Sequence, residues 1–140
     1  MAVATGENND LALLQIDEKG PFPAVKGVSA SGADAPVGKP IVSLGFPLGT
    51  DAPMEGSGPT LVAKTTLTVG VLSKVVTDRL QLDTYAGHGS SGSPVFDDHG
   101  HVIGVIWSGA VGSGGRIVYA APSDRILELL PAEARKAVGR

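Results

Sequence analysis

The stretch Gln81-Leu-Asp-Thr-Tyr-Ala-Gly-His-Gly-Ser-Ser-Gly-Ser-Pro-Val-Phe96 reads as a strand, a tight Gly/Ser turn and a second apolar strand opened by Pro94. A serine in such a turn has its hydroxyl pushed out of the backbone path, and the amides just before it can converge on one point. Those are the two requirements of acyl transfer: an exposed nucleophile and donors aimed at a developing oxyanion. The nucleophile indicated is Ser91, and the donors are the N–H groups of Gly89 and Ser91, with Ser90 between them. Gly92 lets the backbone turn sharply without a Cβ clash. Gly/Ser runs also occur as plain flexible loops. The flanks weigh against that reading here. Arg79 to Asp83 alternates apolar and polar, and Pro94-Val-Phe96 followed by His101-Val-Ile-Gly-Val-Ile-Trp107 is strongly strand-like.

Working outward, short apolar runs alternate with Gly/Pro turn signals. Asp10-Leu-Ala-Leu-Leu-Gln-Ile16 is too short for a helix and reads as a buried strand ended by the turn Asp17–Pro23. Residues 24–38 form a connector with little periodicity. Pro40–Phe46 begins a second block, and Thr50–Pro59 is a polar loop. Leu61–Val76 carries two strand-like runs with a break or bulge expected near Gly70. Arg79–Thr84, the strand at Val95 and Phe96, His101–Trp107 and Arg116–Ala121 follow, the last two joined by the glycine-rich loop Gly109–Gly115. Pro122 stops the last strand, Ser123 is the expected N-cap of a helix, and Pro131 opens a second short helix. The expected architecture is all-β: a six-stranded antiparallel barrel over residues 39–122, then a helical tail at 123–140. The strand at 10–16 lies outside that barrel, in a separate segment 1–23.

Composition narrows the function classes. The net charge of −3 and the absence of a basic block speak against nucleic-acid binding, which needs clustered Lys and Arg. Aromatic residues make up 4% of the chain, too few for stacking platforms. There is no cysteine, hence no disulfide, thiolate metal site or cysteine nucleophile, and the redox compartment stays open. No apolar run approaches the roughly 18–20 residues that span a bilayer, so no membrane partner is expected. The first residues, Met-Ala-Val-Ala-Thr-Gly-Glu-Asn, lack the basic and apolar regions of a signal peptide.

With these segments in this order, the chain resembles the C-terminal half of a trypsin-like (chymotrypsin-fold) serine protease, most of all the bacterial HtrA-type branch. Asp10-Leu-Ala-Leu-Leu14 is similar to the family's segment bearing the catalytic aspartate. Ile41–Gly49 resembles the first strand of the second barrel, Gly89-Ser-Ser-Gly-Ser-Pro94 the nucleophile motif, and His101–Trp107 with Tyr119–Ser123 the strands after it. The resemblance implies two barrels with the active site between them, residues 1–23 being a remnant of the first. It implies Ser91 as nucleophile, Asp10 as the residue orienting a histidine base, and the Gly89 and Ser91 amides as the oxyanion hole. It also implies that the backbone near Ile106, Trp107 and Ser108 pairs with an extended substrate and that Tyr85 lies near the base of the specificity pocket. An aromatic there, without an acidic residue, points to small or medium apolar side chains rather than Lys or Arg. The HtrA likeness suggests a bacterial extracytoplasmic setting and requires no cofactor or metal.

The chain departs from the family pattern at three points. Ser93 stands where the commonest motif has glycine, and no PDZ-like domain follows residue 122. In the family's chain order the base precedes the aspartate, yet none of the nine residues before Asp10 is histidine. His88 sits on the wrong side of the turn to serve Ser91, while His99 and His101 beside Asp97 and Asp98 read as a hairpin turn rather than a metal site. Asp83 and Asp97, the other carboxylates considered, read as structural hydrogen-bonding partners. Two functions remain open. The chain is the nucleophile-bearing part of a serine endopeptidase, inert alone and completed by an N-terminal barrel segment or second chain that supplies histidine. Alternatively it is a non-catalytic module that binds an extended peptide or partner protein. In either case residues 10–16 expect a partner, self-association or capture by the remaining barrel.

Overall fold

A computed structural model of the chain describes residues 2–6 and 10–138, with side chains from residue 10 onward. Met1 and residues 7–9 of the N-terminal segment, and Gly139 and Arg140 of the tail, lie outside the described residues. In chain order the strands are β1 (Ala2–Gly6), β2 (Leu11–Leu14), β3 (Pro40–Gly45), β4 (Met54–Glu55), β5 (Val62–Ala63), β6 (Thr66–Val76), β7 (Arg79–Asp83), β8 (Pro94–Phe96), β9 (Val102–Gly109) and β10 (Ile117–Pro122). The helices are α1 (Ser123–Leu129) and α2 (Ala132–Val138). Six strands close into one antiparallel barrel in the order β10-β7-β6-β3-β8-β9, with β9 pairing back to β10. The expected all-β barrel with its C-terminal helical tail is therefore present.

Strand alternation explains the interior. Leu80 and Leu82 of β7 point inward and are fully buried, while Arg79, Gln81 and Asp83 face out. They meet Ile41 of β3, Leu72 of β6, Val95 of β8, Ile103 and Ile106 of β9, and Val118 and Ala120 of β10 in one core. Each of the Val, Leu and Ile side chains contributes about 1.5–3 kcal/mol of burial. Strand β9 breaks the alternation, because Val102, Ile103 and Gly104 are all buried. Its register slips twice: Ile103 is the extra residue against β8, and Trp107 the extra residue against β10. Each bulge re-aims the residues beside it.

Four local expectations change. Strand β6 runs unbroken through Gly70, which pairs with Ile41; the irregularity falls at Ser73, between Leu72 and Lys74. Gly70 serves a close approach instead: a Cβ there would stand 2.3 Å from the Asp83 carbonyl oxygen. The 50–59 loop is not structureless, since Met54–Glu55 pairs with Val62–Ala63. Ser123 is the first residue of α1 rather than its cap, which is Pro122, and the buried Ser123 hydroxyl has no hydrogen-bond partner among the described residues. Pro131 precedes α2, which begins at Ala132, a one-residue difference of the kind helix ends often show.

The strand at 10–16 is shorter than expected, Leu11–Leu14, and it is paired: β1 forms an antiparallel hairpin with it, and the hairpin rests against α1. The connector is tied down as well. Val28 bridges to Val102, and its N–H donates to the Val138 carbonyl at 2.8 Å.

Candidate active site

Two consecutive turns build the corner. The Ser90 N–H donates to the Gly87 carbonyl at 3.1 Å, and the Ser93 N–H donates to the Ser90 carbonyl at 3.1 Å. Ser90 thus ends one four-residue turn and begins the next. The third residue of each is a glycine with positive φ, +89° at Gly89 and +87° at Gly92. A β-turn with that sign at its third position is of the type II kind, which selects glycine there. The spacing Gly-x-x-Gly in this stretch is therefore a direct consequence of two turns sharing one residue.

Ser90 is buried, and its side chain adds a second tie. Its hydroxyl accepts the Gly87 N–H at 3.1 Å, so the two residues bond in both directions. The corner is then stitched to β9: Gly92 N–H donates to the Ile106 carbonyl at 2.7 Å and Ile106 N–H to the Ser93 carbonyl at 2.9 Å. Beyond Ile106, β9 runs past the end of β8, whose pairing starts with Pro94 opposite Val105. The exposed Ser91 hydroxyl reaches this stretch and donates to the Trp107 carbonyl at 3.3 Å. The bulge at Trp107 is what turns that part of β9.

Among the described residues, no protein group accepts the N–H of Gly89 or Ser91. Beside them opens a cleft of about 390 Å³ whose walls include Ala86, Gly87, Gly89, Ser91, Ile106 and Ser108. No carboxylate lines it. Five of the residues singled out from sequence thus come together: Ser91, Gly89, Ile106 and Ser108 around the cleft, and Trp107 through its carbonyl. The Trp107 ring faces elsewhere. It stacks on Tyr119 at 6.3 Å, and the Arg79 guanidinium lies over it at 5.8 Å.

Tyr85 lines the adjoining groove with Val69, Asp83, Thr84 and Arg116. Its hydroxyl lies close to the cleft wall, since a Cβ on Gly87 would stand 3.1 Å from it. Asp10 occupies the exposed turn ahead of β2 with φ of +50° and makes no hydrogen bond or ion pair among the described residues. His88 is exposed in the first turn. Asp97 accepts the N–H groups of His99 and His101 at 2.9 and 2.8 Å, closing a hairpin turn. Among the described residues no group of His, Asp or Glu is arranged to hold a metal ion.

The comparisons with known proteins bear on this corner. The family described as trypsin-like peptidase domain matches residues 1–105. The chain belongs to that family. The trypsin-like domain is 29% identical to Protease Do-like 5, chloroplastic, of Arabidopsis thaliana, over 92% of this chain and 40% of that protein. It is 30% identical to a probable periplasmic serine endoprotease, DegP-like, of Rickettsia prowazekii, over 99% of this chain and 27% of that protein. A solved HtrA-type protease, AlgW with a decapeptide, superposes with a TM-score of 0.71 at 25% identity, covering 91% of this chain and 37% of its own. The trypsin-like domain described here therefore spans well under half the length of these relatives, and it falls in the HtrA branch.

Sequence reasoning overlooked two participants. The sequence marks Ser90 only as the residue between two amides, whereas its hydroxyl ties the first turn together. Leu48 was read as part of a strand end, although Pro47-Leu48-Gly49 carries the turn signal that brings its amide to the corner, where it donates to the His88 carbonyl at 2.5 Å.

Proposed function

We propose that this chain is the nucleophile-bearing part of an HtrA-type serine endopeptidase acting through an acyl-enzyme. The reading rests above all on one observation: an exposed Ser91 hydroxyl at a doubly turned corner, next to two backbone N–H groups with no protein acceptor and a cleft that no carboxylate lines. The Ser91 oxygen attacks the peptide carbonyl carbon while its proton passes to a histidine. The Gly89 and Ser91 amides hold the oxyanion. The C–N bond then breaks as that proton moves to the departing amine, and water releases the acyl group by the same steps. Asp10 keeps the imidazole in one tautomer.

The histidine is supplied from outside this sequence, by an N-terminal barrel segment or a second chain. Without it the 140-residue chain is inert, since loss of the base lowers turnover by about a millionfold. The cleft suits small or medium apolar side chains, with the Tyr85 hydroxyl close to Gly87. An extended substrate adds to the β9 edge at Trp107 and Ser108. A compartment outside the cytoplasm fits relatives named as periplasmic and chloroplastic; no helix among the described residues is long and apolar enough to cross a membrane. A second reading, a non-catalytic peptide-binding module, is favoured by the β9 edge that continues beyond β8.

Labelling with a fluorophosphonate separates the two. The full-length protein carrying this chain should be labelled at Ser91, and S91A should lose at least about a thousandfold in labelling rate while its melting temperature stays the same. Peptide binding by a full-length protein that never labels would support the module and end the protease reading.

A further inference from the structure

Leu48 is the one large apolar residue with positive φ among the described residues, at φ 69° and ψ 0°. Left-handed backbone is uncommon for any residue with a Cβ and is held only where surroundings over-determine it. Here they do. The Leu48 N–H donates to the His88 carbonyl at 2.5 Å, and the next amide, Gly49, donates back to the Phe46 carbonyl at 2.9 Å. The same loop also packs directly against the corner, because a Cβ on Gly89 would stand 2.4 Å from the Phe46 oxygen.

The His88 carbonyl and the Gly89 N–H belong to one planar trans peptide, so they point in opposite directions. A bond that fixes the carbonyl on Leu48 thereby aims the Gly89 N–H away from Leu48. This peptide is also the central one of the first turn, the unit whose flip distinguishes type II from type I turns. With φ negative at Gly89 the turn would be type I, and the N–H would face the other way. The glycine allows both states, and nothing within the turn chooses between them.

We infer that Leu48 is a positioning residue: its left-handed backbone holds the His88–Gly89 peptide in the state that presents the Gly89 N–H as an oxyanion donor. This rests on the protease reading above for its catalytic consequence, but the structural part stands without it. The side chain matters only through the backbone it permits, so activity should follow tolerance of positive φ rather than size or hydrophobicity. Asparagine and glycine accept this conformation, and β-branched valine resists it most.

The test uses the full-length protein and three variants: L48N, L48G and L48V. In wild type, hydrogen exchange at the Leu48 amide should be slowed at least tenfold relative to an unstructured peptide. L48V should lose about a hundredfold to a thousandfold in kcat on a peptide substrate, the effect of losing one donor, with KM within about threefold. L48N and L48G should keep kcat within about threefold, although both remove more apolar surface. A merely structural role predicts the reverse order, with L48V mildest. That order, or an unprotected Leu48 amide, would overturn the inference. A wild-type protein that shows protection at Leu48 but never reacts with a fluorophosphonate would instead remove the protease reading and leave the conformational assignment standing.

Discussion

Replacing Gly45 with alanine tests how the unusual serine of the motif is accommodated. A Cβ on Gly45 would lie 1.9 Å from the Ser93 hydroxyl oxygen and 2.9 Å from its Cβ. Rotating the Ser93 side chain can relieve the first contact but leaves the second, which is still shorter than carbon atoms tolerate. Either β3 or the turn Ser90–Ser93 must then shift, and overpacking of that kind costs about 1–3 kcal/mol. In a domain of this size each kcal/mol lowers the melting temperature by about 3 °C, so G45A should melt about 3–9 °C below wild type. S93G removes both atoms responsible, and on its own should cost only about 0.5–1 kcal/mol through backbone entropy. In the S93G background the same Gly45→Ala change should cost less than about 0.5 kcal/mol. The two substitutions should therefore couple by about 1–2 kcal/mol in urea unfolding of the four proteins, with unchanged m-values. Additivity within about 0.5 kcal/mol would show that Gly45 and Ser93 do not compete for one space, and that the argument from their geometry is wrong.

Two further outcomes follow from the same geometry. S90A leaves the part-buried Gly87 N–H without its side-chain acceptor and should lower stability by about 1 kcal/mol, with kcat falling more than KM changes because both donor amides flank this residue; S90T, which keeps an acceptor oxygen, should recover most of both. Asp78 is held below its ordinary value chiefly by a hydrogen bond from Arg79; a depressed carboxyl adds stability above its unfolded-state pKa and loses it as pH falls through the lowered one. Both partners are solvent-accessible at the surface, so melting curves of D78N and wild type should differ by no more than about 2 °C at pH 7 and coincide by about pH 2.

Most of the barrel was legible because its strands alternate and its turns carry Gly and Pro. Leu80 and Leu82, Ile41 and Ser43, and Val118 and Ala120 each place two inward residues two positions apart, and period two is hard to mistake. Legibility failed where one residue can serve two purposes. Gly70 signals a bulge or a close backbone approach equally well, and only the nearness of the Asp83 carbonyl decides. Ser123 has the chemistry of a helix cap, but Pro122 already fixes the extended backbone that a cap requires. The candidate site divides in the same way. Ser91, Gly89 and Gly92 declare themselves through turn chemistry, and Ile106 through strand pattern. The direction of the Trp107 ring does not, because the bulge that turns it is a mismatch between β9 and β10 and exists only when both are paired. Leu48 is still further from local sequence, since its conformation answers to a carbonyl forty residues away.

That distance has a consequence for what the motif means. Gly-Ser-Ser-Gly-Ser supplies two turns and an exposed hydroxyl, but the turn containing Gly89 is compatible with either direction of its central peptide. The direction is set by the loop after β3, and the depth of the hydroxyl by the bulged end of β9. The loop follows barrel strand β3 and the bulge lies in β9, two strands joined through β8, so the proposed donors can be oriented only after β3, β8 and β9 have closed on one another. The same pentapeptide in a free loop would offer the proposed nucleophile without the proposed oxyanion site. Donor geometry here is thus a property of barrel closure. Damage to closure far from Ser91, as at Leu82 in the core, should reduce its reactivity before it exposes the serine any further.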